Sequence, residues 1–176
     1  GITVFIPSYS QNFSDTDSVR LSKKLTATSS LLYINSDSAF NIASDVMTEA
    51  TELKISALVI RSLGTMAHIS TIKGNYTQAL RFDLSALDLA VSSGDSSSMF
   101  IAYNNVGDDQ LETLNYDQAH DNFMGAYNIA VAINDSLGMA ISTFNIGLVQ
   151  KELLQLEEAR ENFRKSLLIS NQIGDN

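Results

Sequence analysis

The chain has 176 residues, a net charge of −9, a single proline and no cysteine. The lack of cysteine excludes a disulfide framework, a thiolate metal site and a thiolate nucleophile. A hydrophobic share of 44% supports one domain with a sizeable buried core, and the absence of any proline after Pro7 fits helices joined by tight turns.

Residues 1–16 stand apart from the pattern that governs the rest. Ile2, Val4, Phe5 and Ile6 form a short apolar run broken by Pro7, and Ser8 and Ser10 are small at the spacing that precedes a signal-peptidase cut. One reading is the tail of a secretory signal, which would place the chain outside the cytoplasm, in a periplasmic setting. The other is a short arm packed on a neighbour, compatible with a cytoplasmic protein. No stretch is long enough in apolar residues to span a membrane.

A first helix is predicted over 17–35, with Leu21, Leu25, Thr28 and Leu32 on one stripe. Its partner over 36–54 carries Ala39, Ile42, Ala43, Val46, Met47, Ala50 and Leu53. Beyond this hairpin the chain repeats itself. Gly107 and Gly147 stand forty positions apart, in one column with Ala67 and Ala27. Ala39, Ala79, Ala119 and Ala159 form a second column, Tyr76 matches Tyr116, and Phe123 matches Phe163. A fixed period of this length marks a stacked array, here with units of about 17–55, 56–95, 96–135 and 136–176.

The columns have separate causes. The small residues let the two helices of a unit approach closely, and the aromatic supplies buried area. Unit two has Asp83 in the aromatic column with Phe82 one place earlier, which predicts a slightly rotated helix or Phe82 filling the same space. Asn75 and Asn115 each precede a Gln by three residues, a variant of the capping box. Gly94, Asn134 and Gly174 suit left-handed helix ends, and Asp95, Asp135 and Asp175 suit the caps that follow.

With the small residue, the Gly74-Asn75-Tyr76 turn, the alanine and the aromatic in order, these units resemble the tetratricopeptide repeat in its forty-residue form. The resemblance is strong over 56–176 and weak over 17–54, and the proline common near the end of the family's second helix is missing. It implies an all-α fold, a right-handed α–α superhelix (a TPR solenoid) of about four antiparallel helix pairs. It also implies a module without catalytic residues, cofactor or metal. In overall style the array is similar to sensory segments of bacterial proteins that join such repeats to a kinase or DNA-binding output.

No constellation for catalysis emerges from the residues. His68 and His120 lack metal-ligand spacing. Asp108 and Asp109 are adjacent, so on a helix they point about 100° apart and cannot act as a pair. Asp108 shares a face with Glu112 and reads as part of a solvated acidic patch. Asparagine is the more informative residue type, because its amide both donates and accepts and so suits a peptide main chain. Asn105 and Asn145 share a column with Thr65, and the resemblance implies that this column faces the concave surface. Carried over, the partner-binding residues are Asn105 and Asn145, with Asn104, Asp108, His68, Arg61 and Thr65 as neighbours. The alternative is asparagine hydrogen-bonding inside the stack.

Between 82 and 150 there is no Lys or Arg, while Asp83, Asp88, Asp95, Asp108, Asp109, Glu112, Asp117, Asp121 and Asp135 are acidic. Such a field repels phosphate backbones, so direct nucleic-acid binding is not expected, and it favours a neutral or cationic protein or peptide. A purely solubilising acidic surface is the other reading. The function expected is a non-enzymatic peptide- or protein-binding module, the sensory or adaptor segment of a larger bacterial signalling or regulatory protein. The alternative is a structural scaffold that forms a homo-oligomer through its terminal helices, where Leu167, Leu168 and Ile173 lack a polar cap.

Overall fold

The computed structural model describes residues 9–174, with side-chain surroundings from Asp15 onward. The apolar run at Ile2 to Ile6, Ser8 of the signal-like stretch and the cap expected at Asp175 lie outside the described residues. Among the described residues there are eight α-helices and no strand: α1 (Tyr9–Thr26), α2 (Ser36–Glu52), α3 (Ser56–Ile72), α4 (Tyr76–Ser93), α5 (Ser96–Glu112), α6 (Tyr116–Ala132), α7 (Ser136–Glu152) and α8 (Leu156–Gly174). They pack as consecutive antiparallel pairs, each pair stacked on the next. The odd helices also meet along the stack, α1 with α3, α3 with α5 and α5 with α7, whereas no two even helices approach each other. The odd helices therefore form the tighter, inner face and the even ones the outer face.

The repeated columns become contacts. Ala39, Ala79, Ala119 and Ala159 are buried where α2, α4, α6 and α8 meet their partners. A methyl group at Gly107 would stand 2.6 Å from the ring of Phe123, and one at Gly147 would stand 2.8 Å from the ring of Phe163. Glycine is thus required where the following helix brings an aromatic ring. Ala67 is tolerated in the same column because its unit has Asp83 instead. A further pairing recurs on the outside of this contact. Asn122 Nδ2 donates to Gln110 Oε1 and Asn162 Nδ2 to Gln150 Oε1, both at 2.8 Å.

Unit one departs from the expected register. The helix predicted over 17–35 begins at Tyr9 and ends at Thr26, followed by one 3₁₀ turn over Ala27–Ser30. The Ser/Thr run explains the tightening, because its hydroxyls bond back to nearby carbonyls. Thr28 Oγ1 donates to the Leu25 carbonyl at 2.6 Å, Ser29 Oγ to Thr26 at 2.7 Å and Ser30 Oγ to Ala27 at 2.9 Å. The turn rotates Ala27 outward, so the small column is not buried in this unit.

The turns largely follow their residue chemistry. Gly94 (φ 68°) and Asn134 (φ 56°) end their helices in the left-handed region, and so do Lys54, Gly74, Leu114 and Leu154 at the other turns. Gly174, expected to do the same, is instead the last residue of α8. Asp95 accepts from Ser97 N at 3.1 Å and Asp135 from Gly138 N at 3.0 Å. Asn75 accepts from Gln78 N at 3.3 Å and donates to Gln78 Oε1 at 2.9 Å, which closes the box. Asn115 does not cap α6. Its Nδ2 donates to Thr113 Oγ1 at 2.9 Å instead.

Candidate functional site

Two open cavities run along the inner face and join at Gly64, His68 and Asn105. The first, of about 420 Å³, has an apolar floor that includes Leu25, Ile60, Ala86 and Ala102, under a polar rim of Arg61, Thr65, His68 and Asn105. The second, of about 390 Å³, is walled by Thr71, Asp83, Asp108, Asp109 and Glu112, with Leu148 of α7 at its far side.

Five of the seven residues singled out from sequence line these cavities. Arg61 is exposed and its Nη1 donates to Ser22 Oγ at 3.0 Å, bridging α3 to α1. Thr65 faces the groove, but its hydroxyl donates to the Arg61 carbonyl at 2.9 Å. His68 is exposed at the junction of the cavities, and Asp108 opens into the second. Asn105 is half-buried, and its Nδ2 donates to Asp83 Oδ1 at 3.2 Å. The other two lie in neither cavity. Asn104 is buried and donates to the Phe100 carbonyl at 2.9 Å, while Asn145 Nδ2 donates to Asn104 Oδ1 at 3.1 Å. These two tie α7 to α5 within the stack. Asn104 and Asn105 diverge because adjacent helical side chains point about 100° apart.

The centre of the second cavity is a pair that sequence reading passed over. Asp83 and Asp109 are each only 4% exposed. Asp109 is not part of a solvated patch; it occupies the column of Ile69 and Val149, both fully buried. Asp83 occupies the column of the buried Phe123. Phe82 does not replace it; about 100° round α4 from Asp83, it packs its ring 5.9 Å from that of Phe40. Two acids in apolar columns of neighbouring units were the available signal, and it shows only when columns are compared across units.

Burial dominates the electrostatics of this pair. The Asp83 carboxyl is pushed up to about 8, first by desolvation, against the Asn105 bond, and further by the charge of Asp109, a hydrogen bond shared with it, and Asp108. Asp109 rises to about 6, mainly through desolvation, while its bonds to Asp83 and Thr71 oppose the rise and Glu112 adds to it. Asp108 is exposed by area yet shielded within the groove wall. It too rises to about 6, first from that desolvation, then from Asp109 and Glu112. At neutral pH Asp83 thus keeps its proton and shares it with Asp109.

Among the described residues no group of three or more His, Asp or Glu side chains is placed to hold a metal ion, and no helix is long and apolar enough to cross a membrane. No protein-family model matches the chain, and no curated protein sequence does. Solved structures do. The apo form of RapI superposes with a TM-score of 0.80 over 91% of the chain at 17% identity. A signal transduction ATPase with numerous domains from Pyrococcus horikoshii, which carries a tetratricopeptide repeat sensor, matches 89% of the chain with a TM-score of 0.75 and 18% identity. The fold is tetratricopeptide-like. A Rap protein complexed with competence and sporulation factor matches 78% of the chain with a TM-score of 0.71 and 20% identity. The chain spans 58% of RapI, 38% of this second Rap protein and 25% of the ATPase, and at such identities the likeness to these tetratricopeptide structures speaks for the fold.

Proposed function

We propose that the chain is a non-enzymatic peptide- or protein-binding tetratricopeptide module, serving as the sensory or adaptor segment of a larger bacterial signalling or regulatory protein. The observation that carries this reading is the continuous inner groove. It combines an apolar floor for a side chain with Arg61, His68 and Asn105 at its rim, on helices held rigid by the stack. A pre-formed surface of this kind lowers the ordering cost of binding. A similar Rap structure is a complex with competence and sporulation factor, which supports a groove of this type taking such a ligand. The groove is also polarised, with Arg61 at the α1 side and Asp108 and Glu112 toward α7. A peptide would lie with its negative end at Arg61.

The test is a random peptide library displayed on phage and panned on the chain, with selected peptides measured by fluorescence anisotropy. Asn105→Ala should weaken them roughly tenfold, the worth of one or two hydrogen bonds, whereas Asn145→Ala, outside both cavities, should change little. Equal binding by a folded Asn105→Ala variant would sink the site. A second reading, self-association, has its own observation: Leu167 and Leu168 on the outer side of α8 are 61% and 59% exposed.

A further inference from the structure

We propose that the second cavity is a receptor for one cationic side chain, an arginine or lysine of the bound peptide, seated against Asp109 with Asp83, Asp108 and Glu112 around it. The proposal rests on the peptide-binding reading and adds the chemistry of one subsite.

Three observations converge on it. Asp83 and Asp109 stand in columns that are apolar elsewhere in the array, and both line the same cavity. Neither is placed there by the packing of the repeat. No Lys or Arg lines that cavity, and none exists anywhere from 82 to 150, so the cavity wall holds no Lys or Arg to pair with its acids. Finally, Asp109 is buried with its Oδ1 served only weakly, by Thr71 Oγ1 at 3.4 Å, while its Oδ2 meets no amide, hydroxyl or base. Beyond that weak bond, its remaining donor is the proton shared with Asp83. Buried carboxylates lacking a partner are costly, and a proton is the minimal substitute for a cation.

A guanidinium or ammonium group entering from the groove supplies the missing donors. Its N–H groups bond the Asp109 carboxylate, the proton held by Asp83 leaves to solvent, and both carboxyls then carry charge beside the incoming cation. One proton is released for each cation bound. Binding therefore strengthens as pH rises, by up to tenfold per unit across the range where the pair gives up its proton. The groups facing Asp109 are His68 of α3, Asp83 of α4, and Asp108 and Glu112 of α5, while α7 contributes the uncharged Leu148 and α6 contributes nothing to the cavity wall. A metal ion fits less well, because the described residues hold no three-ligand cluster.

The experiment is an NMR titration of the ¹⁵N-labelled chain with N-acetyl-argininamide, and with N-acetyl-citrullinamide, which has nearly the same shape and no charge. Argininamide is expected to shift the amides of 108–112 with millimolar affinity, roughly fivefold or more tighter near pH 8 than near pH 6, and citrullinamide to leave them in place. Asp109→Asn should lower affinity about tenfold, Asp83→Asn should remove most of the pH dependence, and His68→Gln should leave it. If Asp109→Asn unfolds, the exposed pair Asp108→Asn with Glu112→Gln gives the same answer through a several-fold loss. Asp117→Asn changes the net charge equally outside the cavity and should do nothing. Equal binding of citrullinamide, or unchanged affinity in these cavity variants, overturns the proposal. Peptides selected by the library that need Asn105 but ignore Asp109→Asn would leave peptide binding standing and reject the cation subsite. A library that yields no peptide rejects the broader reading, and argininamide then decides the subsite by itself.

Discussion

At Gly107 the carbons of the Phe123 ring occupy the space a side chain would need, down to 2.6 Å from an ideal methyl position. Phe123 is fully buried and has nowhere to retreat, so Gly107→Ala is expected to destabilise the chain by about 1–3 kcal/mol. Urea unfolding measures this. Adding Phe123→Leu should recover part of the loss, which a simple gain in helix propensity from glycine to alanine would not predict. The repeat resemblance made this glycine legible as a small residue. Which ring demands it follows from the contact between α5 and α6. The asparagines show the opposite case: Asn104 and Asn105 look equivalent on paper, yet one turns into the stack and the other into the groove.

The junction of α4 with α5 is the element on which pH acts. Asp83 and Asp109 are raised above the ordinary carboxyl value, so the native state binds more protons than the unfolded chain between about pH 4 and pH 8. Stability is then fully supported below that window and declines as pH rises through it. Urea unfolding should show a loss on the order of 1–3 kcal/mol from pH 5 to pH 8. Asp83→Asn, an isostere of the protonated acid that still donates to Asp109, should flatten the decline. A flat profile in the unmodified chain would show that these carboxyls are not desolvated as the fold places them. The first helix teaches a related lesson about elements. Its apolar stripe predicted a continuous helix to about 35, but the hydroxyl back-bonds of Thr28, Ser29 and Ser30 end it in a 3₁₀ turn.

At the scale of the whole molecule, α8, the last helix of the described stack, leaves large apolar side chains uncovered on its outer side. Leu167 and Leu168 are exposed there, whereas Ile173 continues the stripe of Ala159 and Ser166, the two buried residues of this helix. If this face pairs with a second copy, light scattering should give a mass that rises toward twice the monomer with concentration, and Leu167→Glu with Leu168→Glu should hold it at the monomer. A monomer at every concentration argues against assembly through α8. The groove lies on the opposite, odd-helix side, so both activities are geometrically compatible.

The forty-residue period by itself determined the all-α class, the pairing of helices and most boundaries of 56–174, because each unit must present the same small and aromatic residues to bury the same contacts. The resemblance to the tetratricopeptide repeat, rather than the period itself, pointed to the inner positions Arg61, Thr65, His68, Asn105 and Asp108. Only the tertiary structure decided which polar residues remain available for a ligand. Asn104 and Asn145 bond each other, while Asp83 and Asp109, distant in sequence, meet across α4 and α5. The physical reason is that a periodic pattern reports what every unit shares. A site arises where neighbouring units differ, and the consequences of such differences depend on distances between helices that no single unit encodes.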